Sequence, residues 1–194
     1  MIQIARDSLM SLEVYANERP AFRMRAIEHK KRRTLHLGAH ITLMFEDELT
    51  IRYQVQEMLR IERTFEEAGI QDELDAYNPL IPDGSNLKAT MLIEFPDEDE
   101  RRDWLSRLIG IEDRVWVRVE GFAPAFAIAD EDLERENDQK TSSVHFLRFE
   151  LPDDACDAFR NGASLSIGVD HDNYSAVADP VPEVLRAALR MDLE

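Results

Sequence analysis

The chain has 194 residues, of which 44% are hydrophobic and 32% charged, and its formal net charge is −17. This composition is typical of a globular protein with one core of ordinary size. The large negative charge argues against nucleic acid as a general partner, and no apolar run of about 18 residues is present to cross a membrane. A signal peptide is not recognisable at the start, so we expect a cytoplasmic protein. The single cysteine, Cys156, excludes an internal disulfide and cysteine-based zinc sites.

The charge is unevenly distributed, because residues 18–33 form a basic segment. The segment contains seven basic and two acidic residues, a net charge of +5 that leaves −22 for the rest of the chain. A helix is predicted from Pro20 to about residue 33, with cations crowding its last turn, where they complement the helix dipole. The simpler interpretation is a solvated helix end. The alternative is a docking surface for an acidic partner or a phosphorylated ligand, built from Lys30, Lys31, Arg32 and Arg33.

One long helix is predicted over residues 45–69, because no glycine or proline interrupts the stretch and Gly69 suits a helix C-cap. Helical spacing then places Glu62 near the centre of an apolar stripe. A buried carboxylate must be paired, metal-bound or protonated. An ion pair with an arginine is the simpler interpretation, with a metal-ligand or acid–base role and an exposed position as alternatives. On another side of the helix a polar ladder is formed by Arg52, Gln56 and Arg60. Solvated salt bridges are the simpler interpretation of this side, and contact with a partner or an anionic ligand is the alternative.

After this helix, two prolines and a glycine within residues 78–86 mark a loop and a boundary between two regions of one compact domain. Residues 1–79 form an N-terminal helical region, and residues 80–194 alternate strands with short helices. The sequence therefore predicts an α+β fold, with helices first and then a largely antiparallel sheet of four to six strands. Residues 130–143 are polar and acidic, so an exposed loop or a frayed helix is predicted there, and we expect the segment to be mobile.

A pattern recurs in the second region. Two predicted strands, 88–95 and 144–151, lead into proline and aspartate, which suit the first turn of a helix. Each is followed by a short helix, a glycine and another strand, at 115–120 and 164–170. The recurrence indicates a degenerate duplication of a strand–helix–strand unit, and coincidence is the alternative, because Pro-Asp is common at such junctions.

Five blocks of the sequence resemble a bacterial family of about two hundred residues that is described as a domain of unknown function: KKRRTLHLGAHITLMFE, TIRYQVQEMLRIER, ELDAYNPLIP, VHFLRFELP and VDHDNY. The resemblance covers nearly the whole chain and implies no activity. What it implies is a context, since the family's genes often stand beside genes for rubrerythrin-like di-iron proteins and an iron–sulfur oxidoreductase. In the family, proline usually follows the histidine of the last block, whereas this chain has Asp172 there. The shape of that turn is therefore not predicted.

Candidate metal ligands come from two predicted strands. His145 opens one strand, and His171 ends another beside Asp170, so neighbouring strands would bring together ligands that suit Fe or Zn. Glu62 is a further candidate ligand. The alternative is that these are plain surface or core residues. A ferritin-like di-iron site is not expected, because such sites use Glu-x-x-His motifs and Phe65 stands where the histidine would follow Glu62.

No phosphate-binding loop, nucleophile motif or dinucleotide fingerprint occurs. Three functions stay open: an accessory protein that docks on a redox enzyme, a metal-binding protein or metal-dependent enzyme that uses His145 and His171, and a structural or regulatory protein without a ligand. We favour the first function because of the resemblance and because catalytic motifs are missing from the sequence. The expected partner protein is a rubrerythrin or an iron–sulfur oxidoreductase. We expect no nucleic acid and no membrane as partner.

Overall fold

The computed structural model describes residues 3–131, 135, 137 and 139–193. Within them the helices are α1 (Leu12–Lys31), α2 (Glu48–Glu62), α3 (Glu67–Tyr77), α4 (Glu98–Arg107), α5 (Asp153–Arg160) and α6 (Glu183–Arg190). The strands are β1 (Thr34–Leu37), β2 (Ile41–Phe45), β3 (Asn86–Ile93), β4 (Val115–Val119), β5 (Ala125–Phe126), β6 (Ile128–Ala129), β7 (Val144–Glu150), β8 (Leu165–His171) and β9 (Tyr174–Ala178). None of these helices is both long and apolar enough to cross a bilayer.

The strands form two antiparallel sheets. The five-stranded sheet has the order β1-β2-β3-β7-β6, and the four-stranded sheet has the order β5-β4-β8-β9. Residues of both sheets and of α4, α5 and α6 share one buried apolar core. The α+β class and the antiparallel pairing predicted from the sequence are thus confirmed. Because β1 and β2 pair with each other and β2 pairs with β3, the predicted regions 1–79 and 80–194 share the five-stranded sheet.

Alternation along β7 shows how the five-stranded sheet is oriented. His145, Leu147 and Phe149 are buried on its inner face, toward the shared core. The side chains between them, on the outer face, are half-buried. Such a period of two is expected of a strand with one face on a core and the other partly open. The outer face therefore remains available next to the helices of the N-terminal region, which have a smaller core of their own.

The bounds predicted for the long helix, residues 45–69, are wrong. Phe45 is a buried residue of β2, and α2 begins after Asp47, whose side chain and backbone exchange hydrogen bonds with Thr50 in a capping box. The helix ends at Arg63, which takes the left-handed conformation with φ 55. Gly69 lies inside α3. A left-handed arginine gives no compositional signal, because glycine or asparagine is the usual residue at such a position.

The helix predicted to begin at Pro20 in fact begins eight residues earlier, at Leu12. Ser11 is its N-cap and accepts a hydrogen bond from the Val14 amide at 3.3 Å. Pro20 lies in the exposed interior of α1, where the proline removes one backbone donor without ending the helix. The helix packs through a narrow stripe of buried residues: Tyr15, Phe22 and Ala26.

The two recurring strand–helix–strand units occupy equivalent places in the fold. Their first strands, β3 and β7, pair with each other in the five-stranded sheet, and their second strands, β4 and β8, pair in the four-stranded sheet. Helices α4 and α5 connect the sheets. Within the sheets, β2 and β6 lie on either side of the β3–β7 pair, and β5 and β9 lie on either side of the β4–β8 pair. This is the arrangement expected of a duplicated unit, and the duplication itself stays a prediction.

Candidate functional site

A cleft lies between the helical region and the outer face of the five-stranded sheet. Its larger cavity has a volume of about 320 Å³ and is lined mainly by apolar residues, among them Ala76, Pro79, Leu80, Ile128 and Phe146. A second cavity of about 210 Å³ adjoins the first and shares with it Glu46, Leu80 and Phe146. Ligand pockets usually measure roughly 300–1,000 Å³. The cleft is therefore of a size that takes a small ligand.

Glu46 is the acidic residue that lines both cavities, and it is only 6% exposed. The hydroxyl of Thr90 donates to its Oε1 at 2.6 Å, and the hydroxyl of Thr50 donates to its Oε2. Arg33 donates to the backbone oxygen of Glu46 at 3.0 Å rather than to the carboxylate. Among the described residues, no cation forms an ion pair with this side chain. A carboxylate accepts about four hydrogen bonds, so acceptor capacity is left for a donor in the cleft.

Two of the cations that line the cleft, Lys88 and Arg148, are already bound to protein acceptors. Lys88 donates from Nζ to the backbone oxygens of Pro79 at 2.6 Å and Ile81 at 2.9 Å. Burial lowers the pKa of Lys88. Arg148 donates from Nε to the carboxylate of Glu131 at 2.7 Å. These contacts hold the two side chains in place at the rim of the cleft. The carboxylate of Glu46 forms the floor of the cleft, where a ligand would meet it.

A second polar cluster, the His145 cluster, lies on the inner side of the same sheet. His145 is 0% exposed, and its Nδ1 lies 2.6 Å from the carboxylate of Asp130. Its Nε2 lies 3.0 Å from Thr141 Oγ1, 3.0 Å from the Ser142 backbone oxygen and 3.9 Å from Glu112 Oε2. Oxygen atoms of the cluster therefore lie close to both nitrogens of the imidazole.

The backbone holds Asp130 against His145. Asp130 has φ 50, in the left-handed region that aspartate enters more readily than most residues. Its amide donates to the Phe146 oxygen at 2.9 Å, and its Oδ1 accepts from the Phe146 amide at 3.0 Å. Arg135 lies 3.4 Å from the same carboxylate oxygen, with its guanidinium 4.6 Å from the centre of the Phe146 ring. The carboxylate therefore has little freedom to turn away.

The two predicted histidine ligands do not lie on neighbouring strands. His145 lies on β7 and His171 on β8, in different sheets, so the prediction that their strands are neighbours is wrong. His171 Nε2 lies 3.1 Å from the Ile109 oxygen. Asp170 is exposed beside it. Of the predicted set, only His145 meets other metal-ligating side chains within the described part of the chain.

Glu62 is not buried in an apolar stripe. It is the exposed last residue of α2, and Ile61 and Phe65, which share its predicted stripe, are 60% and 72% exposed. The stripe that does pack comes from earlier turns of the helix, at Ile51 and Val55. The predicted position of Glu62 is wrong because the helix ends there, so that its last turn leaves the core.

The four basic residues predicted for docking are divided between surface and interior. Lys31 and Arg32 are exposed, and Lys30 is half-buried. Arg33 is 2% exposed and forms a buried ion pair with Asp192, so its place in a docking surface is wrong. Arginine carries its charge at every accessible pH and is buried only where acceptors surround it. Here three backbone oxygens and the carboxylates of Asp192 and Asp47 supply them.

The polar ladder of α2 faces the protein instead of a partner. Gln56 is 1% exposed, and its Oε1 accepts from the Met10 amide at 2.8 Å. Arg52 donates to the Ser8 oxygen at 2.8 Å, and Arg60 is half-buried. The segment before α1 thus covers this side of the helix. The prediction of Gln56 as a partner-binding residue is therefore wrong.

Sequence reasoning missed Glu46, Glu112, Asp130 and Thr141. The loop predicted over 130–143 begins and ends inside the fold, since Asp130 is half-buried and Thr141 is 1% exposed. Its predicted mobility rests on residues that include 132–134, 136 and 138, which lie outside the described residues. Spacing along the chain gives no signal for such a cluster, because its members come from separate turns and strands that meet only in the folded state.

Comparisons with known proteins agree on the fold and supply no activity. The model of one family, described as a protein of unknown function (DUF3501), matches residues 3–193. The chain is also similar to a novel protein of unknown function from Burkholderia pseudomallei K96243, known from a crystal structure. The two share 55% sequence identity with a TM-score of 0.94, and 100% of each chain is covered. A comparison with curated proteins gives no match.

Proposed function

The chain belongs to the DUF3501 family of unknown function, and from its geometry we propose that it is a binding protein whose small ligand occupies the cleft on the five-stranded sheet. The observation that carries this proposal is Glu46, a buried carboxylate that lines both cavities and has no cation paired with it among the described residues. The ligand best suited to such a site has a small apolar body and one cationic or N–H donor group.

Each part of this ligand has a counterpart in the cleft. Leu80, Ile128 and Phe146 offer apolar surface, and covering such surface gains roughly 25 cal/mol per Å². Glu46 accepts the donor group, and hydrogen bonds to a charged group contribute about 1.5–3 kcal/mol. An anionic ligand would instead meet like charge at the floor, which selects against it.

A series of simple amines tests the site. We expect n-alkylammonium ions of about four to eight carbons to raise the unfolding temperature, and the matching alkanoates not to do so, because only the ammonium can bond to the floor. Glu46→Gln should weaken alkylammonium binding, measured by calorimetry, by roughly 10- to 100-fold. The matched control is Glu98→Gln, on the exposed side of α4. Equal binding to the Glu46→Gln variant, or no binding of any amine to the native protein, would contradict the proposal.

A second function, docking on a redox protein, is favoured by the exposed surface of α1. Lys31 and Arg32 stand at the end of this helix, and Met24 and Ile27 on it are 70% and 40% exposed. A basic and apolar surface on an acidic protein suits an acidic partner. The partner implied by the family resemblance is a rubrerythrin-like protein or an iron–sulfur oxidoreductase. That partner, like the cytoplasmic location, stays a prediction.

Charge reversal tests the docking surface with purified partners. The double variant Lys31→Glu/Arg32→Glu should bind the rubrerythrin-like protein or the oxidoreductase of the same genome more weakly, and native binding should weaken between about 50 and about 300 mM salt. The control Arg102→Glu/Arg107→Glu makes the same charge change on α4, where both arginines are exposed. Unchanged binding of the first variant, or equal losses in both, would refute docking through α1.

A further inference from the structure

The arrangement of oxygen atoms around one nitrogen of His145 points to a metal site. Two atoms bound to one ion at about 2.0–2.2 Å lie at most about 4.4 Å apart. From His145 Nε2, the oxygens of Thr141, Ser142 and Glu112 lie at 3.0, 3.0 and 3.9 Å. Thr141 Oγ1 and Glu112 Oε2 are 3.4 Å apart. These separations are those of donor atoms that share an ion.

Asp130 stands where a metal-binding histidine usually has its supporting group. Such a histidine donates its second ring N–H to a carboxylate, which fixes the tautomer and aims the other nitrogen at the ion. The Asp130 carboxylate lies 2.6 Å from His145 Nδ1, and its own orientation is set by the Phe146 amide. Asp130 is therefore a positioning residue, and the free lone pair on Nε2 would face Glu112.

Charge also favours a cation at this place. The side chains of Glu112 and Asp130 are 7% and 10% exposed, and that of His145 is 0% exposed. Two carboxylates removed from water beside one imidazole require positive charge nearby. Arg135 supplies it to Asp130 at 3.4 Å. A cation bound at Nε2 would also lie beside the Glu112 carboxylate, whose Oε2 is 3.9 Å from that nitrogen.

We propose that His145 Nε2, Glu112 Oε2, Thr141 Oγ1 and the Ser142 backbone oxygen bind one first-row divalent cation, with Asp130 positioning the imidazole. One nitrogen and several oxygens form a donor set that suits Fe²⁺, Mn²⁺ or Zn²⁺ rather than a metal that selects thiolate. The site is independent of the cleft, since it lies on the inner side of the sheet. It replaces the ligand set predicted from His145 and His171.

The first test uses the native protein after chelator treatment and dialysis. Zn²⁺, Mn²⁺ and anaerobic Fe²⁺ are titrated separately by calorimetry, and at least one should bind saturably with one ion per chain. The absence of saturable binding by all three ions would overturn the proposal.

The second test separates ligands from bystanders. Glu112→Gln and His145→Gln should lose binding, whereas the control His171→Gln, a histidine of the other sheet, should retain it. Asp130→Asn should weaken binding roughly 10- to 100-fold and still give the native visible bands with saturating Co²⁺, because the atoms bound to the ion are unchanged. If the His145 variant does not fold, the Glu112 variant decides. Full binding by the Glu112 variant, or loss in the His171 control, would refute the site.

Discussion

Neutralising Glu57 tests how α1 is held to α2. Glu57 Oε1 accepts from the Tyr15 hydroxyl at 2.7 Å and from Arg19 Nε at 2.7 Å, and Oε2 accepts from Arg19 Nη2 at 2.8 Å. Arg60 Nη2 lies 3.3 Å from Oε2. One carboxylate of α2 thus receives a forked arginine and a tyrosine from α1. The variant Glu57→Gln removes the charge and keeps the size.

The pKa of Glu57 gives the magnitude. The hydrogen bond from Arg19, followed by those from Tyr15 and Arg60, lowers this pKa from 4.5 to about 2. One pKa unit corresponds to about 1.36 kcal/mol, so the upper limit is about 3 kcal/mol. Arg19 is 33% exposed, and solvent screening reduces the contribution to about 1–2 kcal/mol. Because the pKa is lower in the folded state, this stability is present above pH 4.5 and lost as the pH falls toward 2.

Urea denaturation measures both the size and the pH dependence. At pH 7 the Glu57→Gln variant should be less stable than the native protein by about 1–2 kcal/mol, and the difference should shrink near pH 3. Glu62→Gln is the matched control, because this glutamate is exposed on the same helix. A cost below about 0.5 kcal/mol at pH 7, or a cost that does not change with pH, would refute the reasoning.

Three further predictions concern the core. Arg33→Ala should cost about 3–5 kcal/mol in urea denaturation, because it leaves Asp192 buried without its cation, and the double variant with Asp192→Asn should recover part of that loss. Burial raises the pKa of Asp192 from 3.8 to about 6, so the native protein should lose stability as the pH rises through that range, and Asp192→Asn should remove this loss. Gly168→Ala should lower the free energy of unfolding by about 1–3 kcal/mol, because an added Cβ would lie 2.4 Å from Trp116 Cζ2. Adding Trp116→Leu should recover part of this loss. An unchanged unfolding temperature of the Gly168→Ala variant would contradict the prediction.

The sequence predicted well those elements whose signal is local. Alternation of apolar and polar residues identified the strand that became β4, because a strand with one buried face must repeat every second residue. The aspartate of the first Pro-Asp junction marked the start of α4, where Asp97 is the N-cap and accepts from the Glu100 amide at 2.8 Å. These features depend on near neighbours in the chain, so they are readable without the fold.

Elements that depend on distant residues could not be predicted. The end of α2 at Arg63 has no signal in the local sequence, and it leaves Glu62 and Phe65 outside the core that helical spacing alone assigns to them. His145 was a correct candidate with the wrong partners, because the pairing of β7 with β6 brings Asp130 to it. Glu46 falls between a strand and a helix, where no periodicity distinguishes a buried acid from an exposed one.

The ion pair between Arg33 and Asp192 has a consequence for synthesis, because it joins positions 159 residues apart. A ribosome makes Arg33, β1 and β2 long before it reaches residue 192. Until then the guanidinium can pair with Asp47 but lacks Asp192, its buried partner in the folded protein. Chains that stop before residue 192 would carry this defect in their N-terminal region, far from the break. We therefore expect a protease to cleave the first hairpin of such chains faster than that of the full-length protein.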